Sequence, residues 1–258
     1  MSQKAVSLKV RTYVGVSVVC LALILASCSG VSVAQQTYKQ TQPGSHSTVQ
    51  AQPTAGDILS KPLVYVALGA SDAVGIGSNT PLSQGYVPLV AARLPRGSHA
   101  LDLGVNGIHL REALTAELPL ALSTSPNLIT IWLVANDFIG GVAYTDYMQD
   151  LSTLLSQLRN GTRASIFMAN LPDLTRLPAF SNDTIAQKAQ MLKEIERWDA
   201  GIAQQAARYG VTLVDLLQRG SEITAHPEYI SGDGFHPSPA GYAQLANVFW
   251  QAILGQSR

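Results

Sequence analysis

The chain has 258 residues, 47% hydrophobic and 13% charged, with 17 basic and 17 acidic side chains and a formal net charge of zero. That is the composition of one sizeable globular domain with an extension, and it excludes wholesale disorder. No basic stripe is present, which excludes the electrostatic footprint of a nucleic-acid binder.

Cys20 and Cys28 are the two cysteines, both near the N-terminus. Neither belongs to a CxxC or Cys/His cluster, so neither a zinc site nor a redox motif is expected. Lys4, Lys9 and Arg11 precede an apolar run from Val14 to Ala26. The run is short for a membrane span and has the length of a signal-peptide core. It ends in Leu25-Ala26-Ser27-Cys28. Small residues before a cysteine, with leucine three positions ahead, resemble the lipobox of bacterial lipoproteins. The resemblance implies cleavage before Cys28, with a lipid on its sulfur. Residues 1–27 then form a lipoprotein signal peptide, and the protein is extracytoplasmic and attached to a membrane. An uncleaved anchor, or a soluble protein cut nearby, is the alternative. The positive flank fits the orientation rule for such segments. Cleavage removes three of the 17 basic residues and no acidic one, leaving 14 against 17. Residues 28–61 follow as the lipidated cysteine and a tether rich in Ser, Gln, Thr, Val and Pro, spanning roughly 30 Å on average.

Residues 62–258 carry the regular pattern of a folded domain. The apolar run Leu63 to Leu68 is stopped by Gly69, as in a buried strand. A helix is expected over 84–93, a strand over Ala100–Leu103 and a helix over 109–122. Leu128–Val134 is the second strong strand, followed by a helix from Tyr144 to Leu158. A strand over Ala164–Ala169, a long helix over Thr184–Tyr209 and a strand over Val211–Leu216 come next. The last helix starts at Ser238-Pro239, an N-cap with proline at the first helical position. Tyr242, Leu245, Ala246, Phe249 and Ile253 form its buried stripe. This alternation predicts an α/β fold, a three-layer sandwich with a central parallel sheet. Ligands of such sheets sit at the carboxyl ends of the strands.

Four segments near those strand ends carry polar or glycine residues. In Gly69-Ala70-Ser71-Asp72, a tight strand-to-helix turn can expose the serine hydroxyl, although Ser71 or Asp72 could equally cap a helix. In Asp233-Gly234-Phe235-His236-Pro237, the carboxylate can reach back to the ring Nδ1 and leave Nε2 as a base. Pro237 keeps the histidine backbone extended. Asn136, in Ala135-Asn136-Asp137, can donate to a developing oxyanion or satisfy a local turn. A glycine in Leu103-Gly104-Val105-Asn106-Gly107 can let a backbone N–H approach a substrate closely or form an ordinary turn. Other motifs fail: no Gly-x-Ser-x-Gly elbow or His-Glu-x-x-His occurs, and Gly75-Ile76-Gly77 lacks the third glycine of a dinucleotide loop. His99, His109 and His226 lack an acid at useful spacing and are expected to be surface or packing residues.

In this order the four segments resemble the SGNH (GDSL-like) hydrolases over roughly residues 62–254. Gly69-Ala70-Ser71 matches the nucleophile block, Gly107 the glycine block, Asn136-Asp137 the third block and Asp233/His236 the last. Ala70 and Val134 depart from the family pattern, and Val134 replaces the glycine ahead of Asn136. The resemblance implies a flavodoxin-like SGNH hydrolase fold and a serine esterase needing no metal or cofactor. Its substrate would be a lipid, a small ester or an O-acetylated glycan. Ser71 would be the nucleophile, His236 the base and Asp233 its orienter. The Ser71 and Gly107 N–H groups and the Asn136 amide would form the oxyanion hole, and the loop Leu171–Asn182 would line the site. The rival reading is a catalytically silent glycan- or lipid-binding surface lipoprotein.

Overall fold

The computed structural model describes residues 58–255. The expected signal peptide, Cys28 and nearly all of the tether lie outside the described residues. Ile58 is already buried in the core and Leu59 packs against it, so the folded chain begins ahead of residue 62.

Five parallel strands form one sheet in the order β2-β1-β3-β4-β5. They are β1 (Val64–Gly69), β2 (His99–Asp102), β3 (Leu128–Trp132), β4 (Ser165–Ala169) and β5 (Thr212–Val214). β3 and β4 are buried at every residue and β1 at all but its first, because helices cover both faces. The edge strands β2 and β5 are short and partly exposed, which limits the free edge. Tyr65 on β1 and Thr130 on β3 share a buried hydroxyl hydrogen bond of 2.8 Å.

The helices are α1 (Ser71–Val74), α2 (Pro81–Gln84), α3 (Tyr86–Ala91), α4 (Leu110–Ala116) and α5 (Leu118–Ser123). They continue as α6 (Ala135–Ile139), α7 (Tyr144–Gly161), α8 (Ile185–Arg208), α9 (Gly220–Ala225) and α10 (Pro239–Ile253). Right-handed crossovers explain their placement. The chain moves one way from β1 to β2 and the other way from β2 to β5, so the two sets of connections fall on opposite faces. α10 packs on α3, with Tyr86 and Phe249 stacked at 5.1 Å. On the other face α7 packs on α4 and α8, where Tyr147 meets Trp198 at 4.7 Å. The expected stripe of α10 is buried throughout.

The helix expected over 84–93 is α3, Tyr86–Ala91, with the short α2 ahead of it across Gly85. One expected element differs. The helix expected over 109–122 is broken at Glu117 into α4 and α5. Pro119 is the cause: it lacks an N–H, and its ring crowds the carbonyl four residues back. The break turns Glu117 into the core, where Oε2 accepts the Gly69 N–H at 3.1 Å and Oε1 has no hydrogen-bond partner among the described residues.

Burial pushes the Glu117 carboxyl up to about 8, with the Gly69 N–H opposing and Asp102 adding to the rise. A raised folded-state value means that the fold favours the protonated acid. The resulting stability is full below the ordinary value and drains away as pH rises from about 4.5 to about 8. Glu117→Gln has nothing to ionise. Its melting temperature is expected to gain on the wild type between pH 5 and pH 8. Parallel melting curves at the two values check this, and a constant difference would contradict it.

Candidate active site

β1 lies between β2 and β3, so the chain reverses its direction of sheet growth there. This is the switch point at which a crevice opens beyond the strand ends. Ser71 leaves β1, Gly107 follows β2 and Asn136 follows β3, so all three converge on it. Ser71 is the first residue of α1, and neither it nor Asp72 acts as a side-chain cap.

The last block reaches the same point from the other side of the sequence. Tyr229 to Ser238 folds back on itself: Ile230 bridges Pro237, Ser231 N–H donates to the His236 carbonyl, and Ser238 N–H donates to the Tyr229 carbonyl. Gly234 makes the turn with φ 77°, a left-handed conformation that β-carbon-bearing residues resist. Gly77 allows the loop to dock, since a Cβ there would sit 2.4 Å from the Pro237 carbonyl oxygen. Tyr242 on α10 donates to the Ile76 carbonyl at 2.5 Å, tying the helix to the segment behind Ser71.

The outcome is a continuous relay. His236 Nε2 lies 3.0 Å from Ser71 Oγ, and its Nδ1 lies 2.6 Å from Asp233 Oδ2. Asp233 Oδ1 accepts from the Ser231 hydroxyl and from the N–H groups of Phe235 and His236, at 2.8 to 2.9 Å. Burial alone would raise this carboxyl. The hydrogen bonds from His236, Phe235 and Ser231 overrule it and hold the group well below the usual carboxylate range. An ionised acid therefore faces Nδ1, which favours the tautomer with Nε2 free to take a proton from Ser71.

The N–H groups of Ser71 and Gly107 form no hydrogen bond among the described residues, so both remain as donors. Asn136 Nδ2 donates one hydrogen to the Ile108 carbonyl at 2.9 Å. This is no local turn bond: it ties the loop after β2 to α6, the short helix after β3. The second amide hydrogen has no partner among the described residues. Val134, in the place of the family's glycine, has a buried side chain and stands at the N-cap of α6.

Asn136→Ala therefore removes a donor and a tie together. It is expected to lower kcat by about 10²–10³ with KM little changed. The melting temperature should also fall by about 2–4 °C, for a bond of about 1 kcal/mol. Steady-state kinetics with a melting curve check both, and an unchanged kcat would remove Asn136 from the oxyanion site.

The loop Leu171–Asn182 does line the region. Its Ala179 N–H donates to the Gly234 carbonyl, and Phe180 meets Phe235 edge to face at 6.5 Å. A cleft of about 400 Å³ is walled by Gly107, His109, Asn136, Gly140, Phe180 and Phe235. Behind Phe235 lies a smaller apolar cavity of about 120 Å³, bordered by Trp132, Leu174, Leu245 and Val248. Asp72 stands in its wall, 8% exposed, and burial pushes its carboxyl up to about 6 against the pull of nearby His236.

Two of the three histidines expected to lack an acid have one. His226 pairs with Glu228 at 2.9 Å on the surface. His109 lies in the cleft with Asp137 3.6 Å from its Nδ1. The separation of His109 from Asp137 in the chain hid the second pairing. Among the described residues no group of three or more His, Cys, Asp or Glu side chains is placed to hold a metal ion. Among them, too, no helix is long and apolar enough to cross a membrane.

A serine, a histidine and an acid in hydrogen-bonded series, at the switch point of a parallel α/β sheet, are the site of a serine hydrolase. Residues 67–244 match the GDSL-like lipase/acylhydrolase family, and the chain belongs to it, as an SGNH serine hydrolase acting on esters. No curated protein matches the chain significantly. Solved structures share the fold. TesA is 24% identical, with a TM-score of 0.59 over 75% of this chain and 99% of its own. An acetylxylan esterase from Geobacillus stearothermophilus is 19% identical, with a TM-score of 0.59 over 76% and 96%. A psychrotrophic esterase from Pseudoalteromonas sp. is 16% identical, with a TM-score of 0.56 over 74% and 96%.

Proposed function

We propose that the protein hydrolyses acyl esters through an acyl-serine intermediate. The observation that carries this is the unbroken series Ser71–His236–Asp233, with contacts of 3.0 and 2.6 Å. As Ser71 Oγ bonds to the ester carbonyl carbon, His236 Nε2 takes its proton, and the carbonyl oxygen becomes an oxyanion. The Ser71 and Gly107 N–H groups and the Asn136 amide stabilise that charge. Asp233 stabilises the imidazolium. Collapse breaks the ester bond, and His236 returns the proton to the leaving alcohol. Water then attacks the acyl-serine, with His236 again as base, and releases the acid.

The family and the acetylxylan esterase likeness support an acyl ester of a lipid, a small alcohol or a glycan as substrate. Stopped-flow hydrolysis of p-nitrophenyl acetate tests the mechanism. A burst of p-nitrophenol near one equivalent per protein is expected wherever deacylation is slower than acylation. Methanol should also divert product to methyl acetate at a ratio independent of the leaving group. A ratio that varies with the leaving group would contradict a common acyl-enzyme.

We also propose that Cys28 is lipidated and holds the domain at a membrane outside the cytoplasm. Support comes from the basic flank, the apolar run and Leu25-Ala26-Ser27-Cys28. Cys28→Ala should release the protein from the membrane fraction or block its processing. An unmodified Cys28 in membrane-bound wild-type protein would overturn the assignment.

A further inference from the structure

His109 is the one polar side chain of the large cleft that neither the relay nor the oxyanion donors use. It comes directly after Gly107-Ile108, on the wall that carries Gly107 and Asn136. Its ring is held from two sides. Nδ1 is buried and faces Asp137 Oδ1 at 3.6 Å, and the backbone N–H of His109, at the N-cap of α4, donates to Glu112 Oε2 at 3.1 Å. The ring edge lies on Gly140, where a Cβ would come within 2.7 Å of His109 Cε1. Asp137 is 2% exposed, and its other oxygen accepts the Leu110 N–H at 3.0 Å.

A carboxylate facing Nδ1 favours the tautomer with the proton on Nδ1. In the neutral ring Nε2 then carries a lone pair. No group among the described residues bonds to Nε2. The cleft thus offers a fixed acceptor close to the oxyanion donors. Beyond it stand the rings of Phe180 and Phe235, at 6.5 Å and 64° to each other. An acceptor beside an aromatic wall suits a ligand with hydroxyl groups on an apolar ring or chain face.

We propose that His109, positioned by Asp137, accepts a hydrogen bond from a substrate hydroxyl near the scissile ester and selects esters of polyhydroxylated alcohols, carbohydrates above all. This rests on the reading of Ser71 as nucleophile. The cleft of about 400 Å³ has room for the alcohol portion of such an ester. His109 touches no reacting atom in this scheme. It is a positioning residue.

The test compares a mono-O-acetylated methyl glycoside bearing a free vicinal hydroxyl with its deoxy analogue. Wild-type kcat/KM should favour the hydroxylated ester by about tenfold, the contribution of one such bond. In His109→Ala and His109→Phe the ratio should fall to near one. In His109→Gln, whose side-chain oxygen can still accept, part of the preference should remain. A merely structural role would lower both substrates together and leave the ratio alone. Butyryl and 3-hydroxybutyryl esters of p-nitrophenol test the acyl side, and no His109-dependent preference is expected there.

Equal wild-type rates on the glycoside pair would overturn the proposal, even if the variants fail to fold. So would an unchanged preference in folded His109→Ala, or a preference confined to the acyl-side hydroxyl. p-Nitrophenyl acetate turnover by the wild type, lost in Ser71→Ala, reports on the nucleophile separately. If it fails, the reading of Ser71 fails, whatever the glycoside ratio shows.

Discussion

Ser71→Ala is expected to lower kcat/KM on any accepted ester by about 10⁴–10⁶, while leaving the protein folded. The covalent route needs an oxygen at that position, and no other hydroxyl contacts His236 Nε2 among the described residues. What remains is the positioning and oxyanion stabilisation that a bound water can use. Stability should hardly change. The side-chain hydrogen bond from Ser71 goes to His236 alone, and the His236 side chain is 19% exposed, so water can replace the lost partner. Titration of residual activity against protein, with a melting curve alongside, checks both halves. Wild-type turnover in a folded Ser71→Ala protein would end the serine-hydrolase account.

His236→Ala should cost about as much, because base and nucleophile act as one unit and their losses do not add. The double variant should therefore be no slower than either single one by more than a few-fold. The loop should survive the change. Asp233 keeps the Ser231 hydroxyl and the N–H groups of residues 235 and 236, and these, rather than the ring, close the turn. Removing the imidazole leaves room for a small base, so added imidazole should restore part of the rate to His236→Ala and none to Ser71→Ala. Asp233→Asn should be milder, since the ring can still sit between its neighbours. Kinetics of the three variants with and without imidazole check the ordering. Equal rescue of both alanine variants would contradict the division of roles.

Much of the fold was legible because burial on both faces leaves a plain signature. Leu63–Leu68 is an unbroken apolar run, Leu128–Val134 and Ala164–Ala169 are apolar but for Thr130 and Ser165, and the strands match all three to within a residue or two at their ends. The site was legible for a different reason: Asp-x-x-His-Pro is a local motif whose geometry closes within one turn. Features that depend on the meeting of distant segments were not legible. Pro119 marks the break in 109–122, but the apolar spacing continues through Glu117, so the buried carboxyl beneath Gly69 left no mark in the pattern. His109 follows β2 and Asp137 lies on α6 after β3, and the two are brought together by the order of the strands, with β1 between β2 and β3. The smaller cavity behind Phe235 likewise forms between β3, α10 and the loop after β4.

The most direct test of the central claim is covalent labelling of the wild-type protein with a fluorophosphonate, read by intact mass and by peptide mapping. The phosphorus centre mimics the tetrahedral carbonyl carbon, so it captures whichever oxygen His236 activates. One adduct per protein is expected, on Ser71, with ester hydrolysis falling in proportion to labelling. Labelling should be absent in Ser71→Ala and much slower in His236→Ala. Full hydrolytic activity in a quantitatively labelled protein, or an adduct on any residue other than Ser71, would contradict the account.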